Sequence, residues 1–251
     1  MPSRIVTLPS SHQLAVGLAV SLMAACPMVA AELPAARWVL EGGVSEARPG
    51  TLSDVDCDTS DEANDYFLAC GDSGPLASGS GSSWALGFDT RIMDTAGNGS
   101  AWWAGLRLGR SGPVILRGEA VAVDQATAGF TADFRSDYAI LILRHEFSGW
   151  GPLKPHLGLG AGVARNSLRD PRRPSEEGWH HADDGDDSGY MLRASMGLNW
   201  TIGEQMVMGL EFRHDVLDGM STGESGDYSA VRGSVDLQSA HLVISIPFGS
   251  S

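Results

Sequence analysis

The chain has 251 residues, 43% of them apolar and 32 of them glycine, which suits one barrel-sized domain plus some additional sequence and argues against disorder. With 31 acidic residues against 17 basic ones the formal charge is -14, which excludes nucleic acid as a natural partner. After the N-terminal region no run of about 18 apolar residues occurs, so a transmembrane helix is excluded from the mature chain, and any membrane crossing must be made by strands.

The first residues read as an export signal. Arg4 precedes the apolar run Leu14 to Ala25, and small residues at Val29, Ala30 and Ala31 set a cleavage site after Ala31. A rival signal is present, because Met23, Ala24, Ala25 and Cys26 loosely resemble the lipobox at which bacterial lipoproteins are cleaved and acylated. Without Cys26, Cys57 and Cys70 remain, and an even pair in an exported chain favours a disulfide worth about 3 kcal/mol in the chain-entropy model. Residues 32–82 are acidic, glycine-rich and serine-rich, and are read as an extension carrying that disulfide loop. Ten of the 31 acids fall between Glu32 and Asp72, and seven more between Asp170 and Asp187. Arg37 to Ser45 has the pattern of a strand within this extension.

From Ser83 alternation with a period of two is steady. A first strand sets Trp84, Leu86, Phe88 and Ile92 against Ala85, Gly87, Asp89 and Arg91. A second sets Trp102, Ala104, Leu106 and Leu108 against Trp103, Gly105, Arg107 and Gly109, and ends in a turn at Ser111, Gly112 and Pro113. A third, Val114 to Val123, sets Val114 and Leu116 against Arg117 and Glu119, and a loop runs from Asp124 to Asp137. A fourth covers Tyr138 to Phe147, with Leu141 and Leu143 opposing Arg144 and Glu146. The fifth, Leu153 to Arg165, turns Leu157, Leu159 and Val163 outward. His156, Gly158, Gly160 and Gly162 point inward, where glycine leaves room for large neighbours across a narrow barrel.

After an acidic loop, Asn166 to Ser188, comes the strongest signal in the chain. Tyr190, Leu192, Ala194, Met196, Leu198, Trp200 and Ile202 share a face, as do Met206, Met208, Leu210 and Phe212. The three residues between them, Gly203 to Gln205, give the odd-length turn that puts both apolar faces on one side. Another loop, Leu217 to Asp236, leads to the eighth strand, Leu237 to Phe248. Each run approaches the roughly 9 to 11 residues that a tilted strand needs to cross a bilayer. Short turns alternate with mostly longer loops, the asymmetry of outer-membrane barrels. Counting Arg37 to Ser45 would make nine strands and break that parity, so it is left outside the barrel. The fold expected is an all-β, eight-stranded, antiparallel up-and-down transmembrane barrel over residues 83–248.

The segment GPLKPHLGLGAGVA at 151–164, the hairpin from Gly189 to Asp215 and a last strand ending in Phe248 resemble the small outer-membrane barrels of the OmpA-like and opacity-type families. The resemblance covers about two thirds of the chain. It implies an outer-membrane location, contact with outer-membrane lipid and lipopolysaccharide, and Phe248 as the aromatic assembly signal read by the barrel-insertion machinery. Here Phe248 is followed by three more residues. It implies no cofactor and leaves any surface partner unnamed.

An eight-stranded barrel fills its interior with side chains, so a general pore is not expected. Arg107, Arg117, Glu119, Arg144, Glu146, Arg193, Glu211 and Arg213 are assigned to that interior as a paired charge network, because buried charges must be matched; a gated ion path is the functional alternative.

Two chemistries compete with this structural role. Some eight-stranded outer-membrane lipid A deacylases carry an outward His, any residue, Ser motif on the seventh strand. His214 matches by register, but Val216 takes the serine position, leaving no nucleophile, and Ser221 and Ser225 are off-spacing. A hard cation or transition metal is conceivable at His180, His181, Asp183, Asp184, Asp186 and Asp187, or at Asp54, Asp56, Asp58, Asp61 and Glu62, but neither spacing matches a defined loop. Trp84, Trp102, Phe147, Trp150 and Trp200 fall near strand ends, where interfacial girdles lie. A soluble or lipid-anchored periplasmic barrel would instead turn its apolar faces inward around a ligand. The expectation is a non-enzymatic outer-membrane barrel with a structural or surface-interaction role.

Overall fold

The computed structural model describes residues 35–50, 53–54, 79–95, 99–121, 127–149, 151–175, 178–181, 183–202, 206–223 and 231–248. Among these described residues there are ten strands: β1 Ala36–Pro49, β2 Ser53–Asp54, β3 Gly79–Thr95, β4 Ser100–Val121, β5 Thr127–Glu146, β6 Leu153–Ser175, β7 Gly178–His181, β8 Gly185–Ile202, β9 Met206–Ser221 and β10 Val231–Phe248. Eight of them form an antiparallel ring in the order β1, β3, β4, β5, β6, β8, β9, β10, closed by pairing of β1 with β10. Each ring strand pairs on both sides, so the ring has no free edge. The short β2 and β7 are additions to β10 and β6.

The β8–β9 hairpin has the predicted register. Ile202 faces Met206, Trp200 faces Met208, Leu198 faces Leu210 and Met196 faces Phe212. Over the paired stretches, Met191–Ile202 and Met206–Leu217, its even-numbered residues point away from the barrel axis and its odd-numbered ones into it.

The strand inventory differs from the sequence reading in two compensating ways. Arg37 to Ser45 is a barrel strand, not part of an extension: β1 runs antiparallel to β10 from the Ala36/Phe248 pair to the Pro49/Val235 pair, and it also pairs with β3. The predicted second and third strands are one strand, β4. Ser111, Gly112 and Pro113 form no turn; the register slips between Ser111 and Val114, and Gly112, at φ 100°, takes a backbone conformation natural to glycine, followed by a cis Pro113. Adding one strand and merging two leaves eight. The barrel therefore starts at Ala36, within the region read as extension.

Predicted loops also shrink. Most of Asp124 to Asp137 belongs to β5, and much of Asn166 to Ser188 belongs to β6 and β8. β6 has 23 residues and β4 has 22, about twice what a bilayer crossing requires. Both ends of the ring, Ala36 and Phe248, lie with Thr95, Ser100, Glu146, Leu153, Ile202 and Met206 at one end, here called the turn end. The long strands overhang at the other.

The inward glycines do what their spacing implied. A Cβ on Gly158 would lie 2.6 Å from Ser195 Oγ, and one on Gly160 2.9 Å from Ile140 Cδ1. Gly197 on β8 faces His156, whose Cε1 would be 2.7 Å from an added Cβ. Gly197→Val should therefore cost about 1–3 kcal/mol by overpacking, read as a lower denaturant midpoint, whereas Ser188→Ala on the exposed face of the same strand should leave that midpoint in place.

Candidate functional site

The outer wall carries a continuous apolar belt. Leu40, Leu86, Leu108, Leu141, Leu143, Leu157, Leu159, Leu192, Leu198, Leu210 and Leu242 are all exposed, Leu159 at 68%. Aromatic rings gather towards the turn end, where Trp38, Phe88 and Phe248 meet with each pair of centroids 5.7 Å apart, and His145 sits 4.5 Å from both Trp102 and Phe147. Trp84 and Trp200 are outward too; Trp150 lies outside the described residues. So much contiguous apolar surface is far beyond what a water-soluble monomer exposes. With aromatics at its margin, it is the surface of a barrel embedded in a bilayer.

The lumen is the inverse, and its charges close on themselves. Asp89 Oδ1 accepts from Arg107 Nη1 at 2.6 Å, and Arg107 Nε donates to Glu41 Oε1 at 2.6 Å. Glu41 Oε2 lies 2.7 Å from Arg213 Nη2, and Arg213 Nε donates to Glu211 Oε1 at 2.6 Å. Glu211 Oε2 accepts from Arg144 Nη2 at 2.7 Å, and Arg144 Nη1 returns to Asp89 at 3.8 Å. Three carboxylates and three guanidiniums thus alternate in a ring spanning β1, β3, β4, β5 and β9. Every member is at most 3% exposed in its side chain.

Branches reach the remaining strands. His156 on β6 bonds Glu211 Oε2 at 2.9 Å; since a carboxylate only accepts, His156 Nε2 carries the proton. His241 on β10 lies 3.3 Å from Arg213 Nη1 through Nδ1 and 3.0 Å from Ser83 Oγ through Nε2. Arginine can only donate, so Nδ1 accepts and Nε2 donates to the serine. Asn199 on β8 donates to Glu146, which also takes Arg37 Nη1 at 2.7 Å, while Arg37 Nε reaches Asp89. Arg193 holds Asp215 through two nitrogens, at 2.6 and 2.9 Å. Among the described residues five guanidiniums meet five carboxylates, so the formal charges of the layer balance, as burial demands.

Both ends of this layer are shut. Towards the turn end, Trp103 is buried beneath the Arg37 guanidinium, 4.0 Å from the ring centroid. Towards the overhang, Val114, Leu116, Phe134, Leu168, Met191, Leu217 and Val235 form an apolar layer, each at most 2% exposed. The lumen is a salt-bridged core capped by a hydrocarbon one.

Of the eight charges assigned to the lumen, Arg107, Arg144, Glu146, Arg193, Glu211 and Arg213 are brought together there. Arg117 is not: the slip after Ser111 inverts the parity of β4, so Val114 and Leu116 point inward and Arg117 is exposed. Glu119 belongs to β4, with its side chain outside the described residues. Arg37 and Glu41 enter the lumen only because β1 is a barrel strand, which the sequence reading places in the extension. Asp89, His156 and Asp215 join the network from inward positions that the alternation marks.

Other assignments stay apart from the lumen. His214 is exposed on the outer wall between Ala194 and Gln238, with Val216 outward beyond it. Asp184 and Asp186 meet Arg169, and His181 lies 3.4 Å from Asp170. The Ser167 hydroxyl, followed by the guanidiniums of Arg169 and Arg165, holds the Asp186 carboxyl below its ordinary pKa. Cys57 and Cys70, the acidic run from Asp56 to Glu62 and the proposed signal and lipobox lie outside the described residues.

By sequence the chain matches no protein-family model and no curated protein. Among solved structures it is similar to neisserial surface protein A at 13% identity and TM-score 0.45, covering 84% of this chain and 97% of that one. It is also similar to the outer-membrane protein OprG of Pseudomonas aeruginosa, at 16% identity and TM-score 0.45, covering 87% and 99%. A third is Ail, the attachment invasion locus protein of Yersinia pestis, at 11% identity and TM-score 0.38, covering 84% and 98%. The architecture itself rests on the strand pairing described above.

Proposed function

We propose that this chain is a non-conducting, non-enzymatic outer-membrane barrel that acts through its outer face, as an envelope structural or surface-interaction protein. The observation that carries this reading is the closed ring of six buried charges, which ties five strands together across the space a pore would need. The overhang supports the second half of the reading. Strands twice the crossing length lift β4, β5, β6 and β8 beyond the belt on the side away from Ala36 and Phe248, and in outer-membrane barrels the longer connections are extracellular. A soluble ligand-binding barrel would need its charges outside and its apolar residues inside, the reverse of this arrangement. A deacylase would need a nucleophile beside His214, where Val216 offers only hydrocarbon.

The test has two parts. Cells expressing the chain should carry it in the outer-membrane fraction, in a form that changes gel mobility only after boiling. The purified barrel in planar lipid bilayers should give no discrete current steps. Recovery in the soluble periplasm without detergent, or porin-like steps, would overturn the reading.

A further inference from the structure

The apolar belt is interrupted on one wall. His214 on β9 and Gln238 on β10 are both outward and exposed, and they stand opposite each other in the register of the two strands. Hydrocarbon flanks the histidine in both directions along its own strand, with Phe212 towards the turn end and Val216 towards the overhang. On β8, Met196 and Leu192 do the same for Ala194, the residue opposite His214. His214 therefore lies within the belt and Gln238 at its margin, where Asp236 follows on β10. Hydrocarbon offers the imidazole no water, and a polar group at that depth is costly unless something pairs with it. Among the described residues neither side chain has a hydrogen bond or an ion pair.

The same two residues line a groove. Its volume is about 1140 Å³, and it follows one row across the wall, from Leu143 on β5 through Leu159 on β6, Ala194 on β8 and His214 to Gln238. Ala194 sinks the row, because its single methyl stands between Leu192 and Met196, which are 49% and 60% exposed. Ala240, opposite Phe212, leaves a second gap beside it.

An acyl chain laid in this groove would cover its apolar floor and leave both polar groups bare. A second copy of the chain brings the missing partners, because a carboxamide both donates and accepts, as does a neutral imidazole. A symmetric pair of barrels inserted in the same direction has its two-fold axis along the membrane normal, and that axis makes every contact reciprocal. With the axis between β9 and β10, His214 of each copy meets Gln238 of the other. In lipid, where hydrocarbon gains little by meeting hydrocarbon, spanning segments are held together by small residues that allow close approach and by hydrogen bonds. Ala194 and Ala240 supply the first, His214 and Gln238 the second.

We propose that this outer face of β8, β9 and β10 is a self-association surface, on which a second copy of the chain docks with His214 and Gln238 paired reciprocally across a two-fold axis. The inference rests on the outer-membrane reading and adds a protein neighbour to it.

The test places a photoreactive benzoylphenylalanine at Phe212 or, in a second chain, at Met196, both of which border the groove, and dilutes the full-length barrel into excess phosphatidylcholine vesicles. Illumination should give a covalent dimer whose joined peptides come from β8, β9 and β10 of the second copy. The same label at Leu108, on the opposite wall, should give none. His214→Leu with Gln238→Leu should lower the dimer yield about ten-fold, the scale of two lost hydrogen bonds in a membrane, while the heat-dependent gel shift stays in place, since leucine suits a lipid-facing wall. Ala194→Trp, which fills the groove, should lower the yield as well and keeps the test intact if the double variant fails to fold. Labels at Phe212 and Met196 that join only to lipid, equal dimer yield from Leu108, or a yield unchanged in the double leucine variant overturns the proposal while the barrel stands. A wild type that does not insert into vesicles overturns the outer-membrane reading and this inference with it.

Discussion

Glu41→Ala is expected to cost the folded barrel about 3–5 kcal/mol, the range for removing one partner from a buried ion pair. Glu41 holds Arg107 with one oxygen and Arg213 with the other, and its side chain is completely buried. Its loss breaks the ring at the joint between β1, β4 and β9 and leaves two guanidiniums short of a partner where no bulk water reaches. The readout is the denaturant midpoint of the barrel refolded in vesicles, together with the fraction that keeps its unboiled gel position. Arg193 and Asp215 provide the control, because they form a separate two-point pair. Arg193→Met alone should be strongly destabilising, while Arg193→Met with Asp215→Leu should recover most of the loss, since replacing both charges with packed hydrocarbon removes the desolvation penalty along with the attraction. A midpoint unchanged by Glu41→Ala would mean that the lumen is wet enough to solvate free guanidiniums, and the argument for a sealed barrel would fall.

Leu159→Arg is the second substitution with a large expected effect, about 2–4 kcal/mol against insertion if the residue faces the middle of a bilayer. Leu159 is 68% exposed, so in water the same change would be a surface substitution worth no more than about 0.5 kcal/mol. The two environments predict opposite results from one residue. Loss of the heat-shifted outer-membrane band, with material accumulating in the periplasm, is the outcome for a membrane wall. Normal yield and an unchanged midpoint would show that the belt faces water or another protein. Ser188→Arg, on β8 beyond the belt, should be tolerated.

These expectations draw on what could be read in the chain to different degrees. The hairpin of β8 and β9 was legible down to its register, because strict alternation over long runs allows only one face to be apolar, and a three-residue turn allows only one pairing. The number of strands was legible as well, but through two errors of opposite sign. Periodicity is blind to a slip inside a strand: Ser111, Gly112 and Pro113 have turn chemistry, yet here the backbone absorbs them as an irregularity and the strand continues. β1 was equally visible as a pattern, with Trp38, Leu40 and Val44 on one face and Arg37, Glu41 and Ser45 on the other. Only the turn chemistry at Ser111 to Pro113 hides it, because splitting β4 there gives nine strands once β1 is included.

By itself, then, the sequence determined the class of structure: alternating strands, apolar on one face and charged or glycine on the other, with no apolar run after the N-terminal region long enough for a helix to cross a membrane. That much follows from local periodicity and from the cost of exposing hydrocarbon to water or charge to lipid. Tertiary structure decided which charges meet. Glu41 and Arg107 are 66 positions apart, and Arg37 and Glu146 are 109 apart, so their pairing depends on ring closure between β1 and β10 and on the stagger of every register between. It also decided which way Arg117 points, because one irregularity in β4 turned a predicted lumen charge into an outward one. Side-chain direction in a strand is a matter of parity, and parity is inherited from every residue before it.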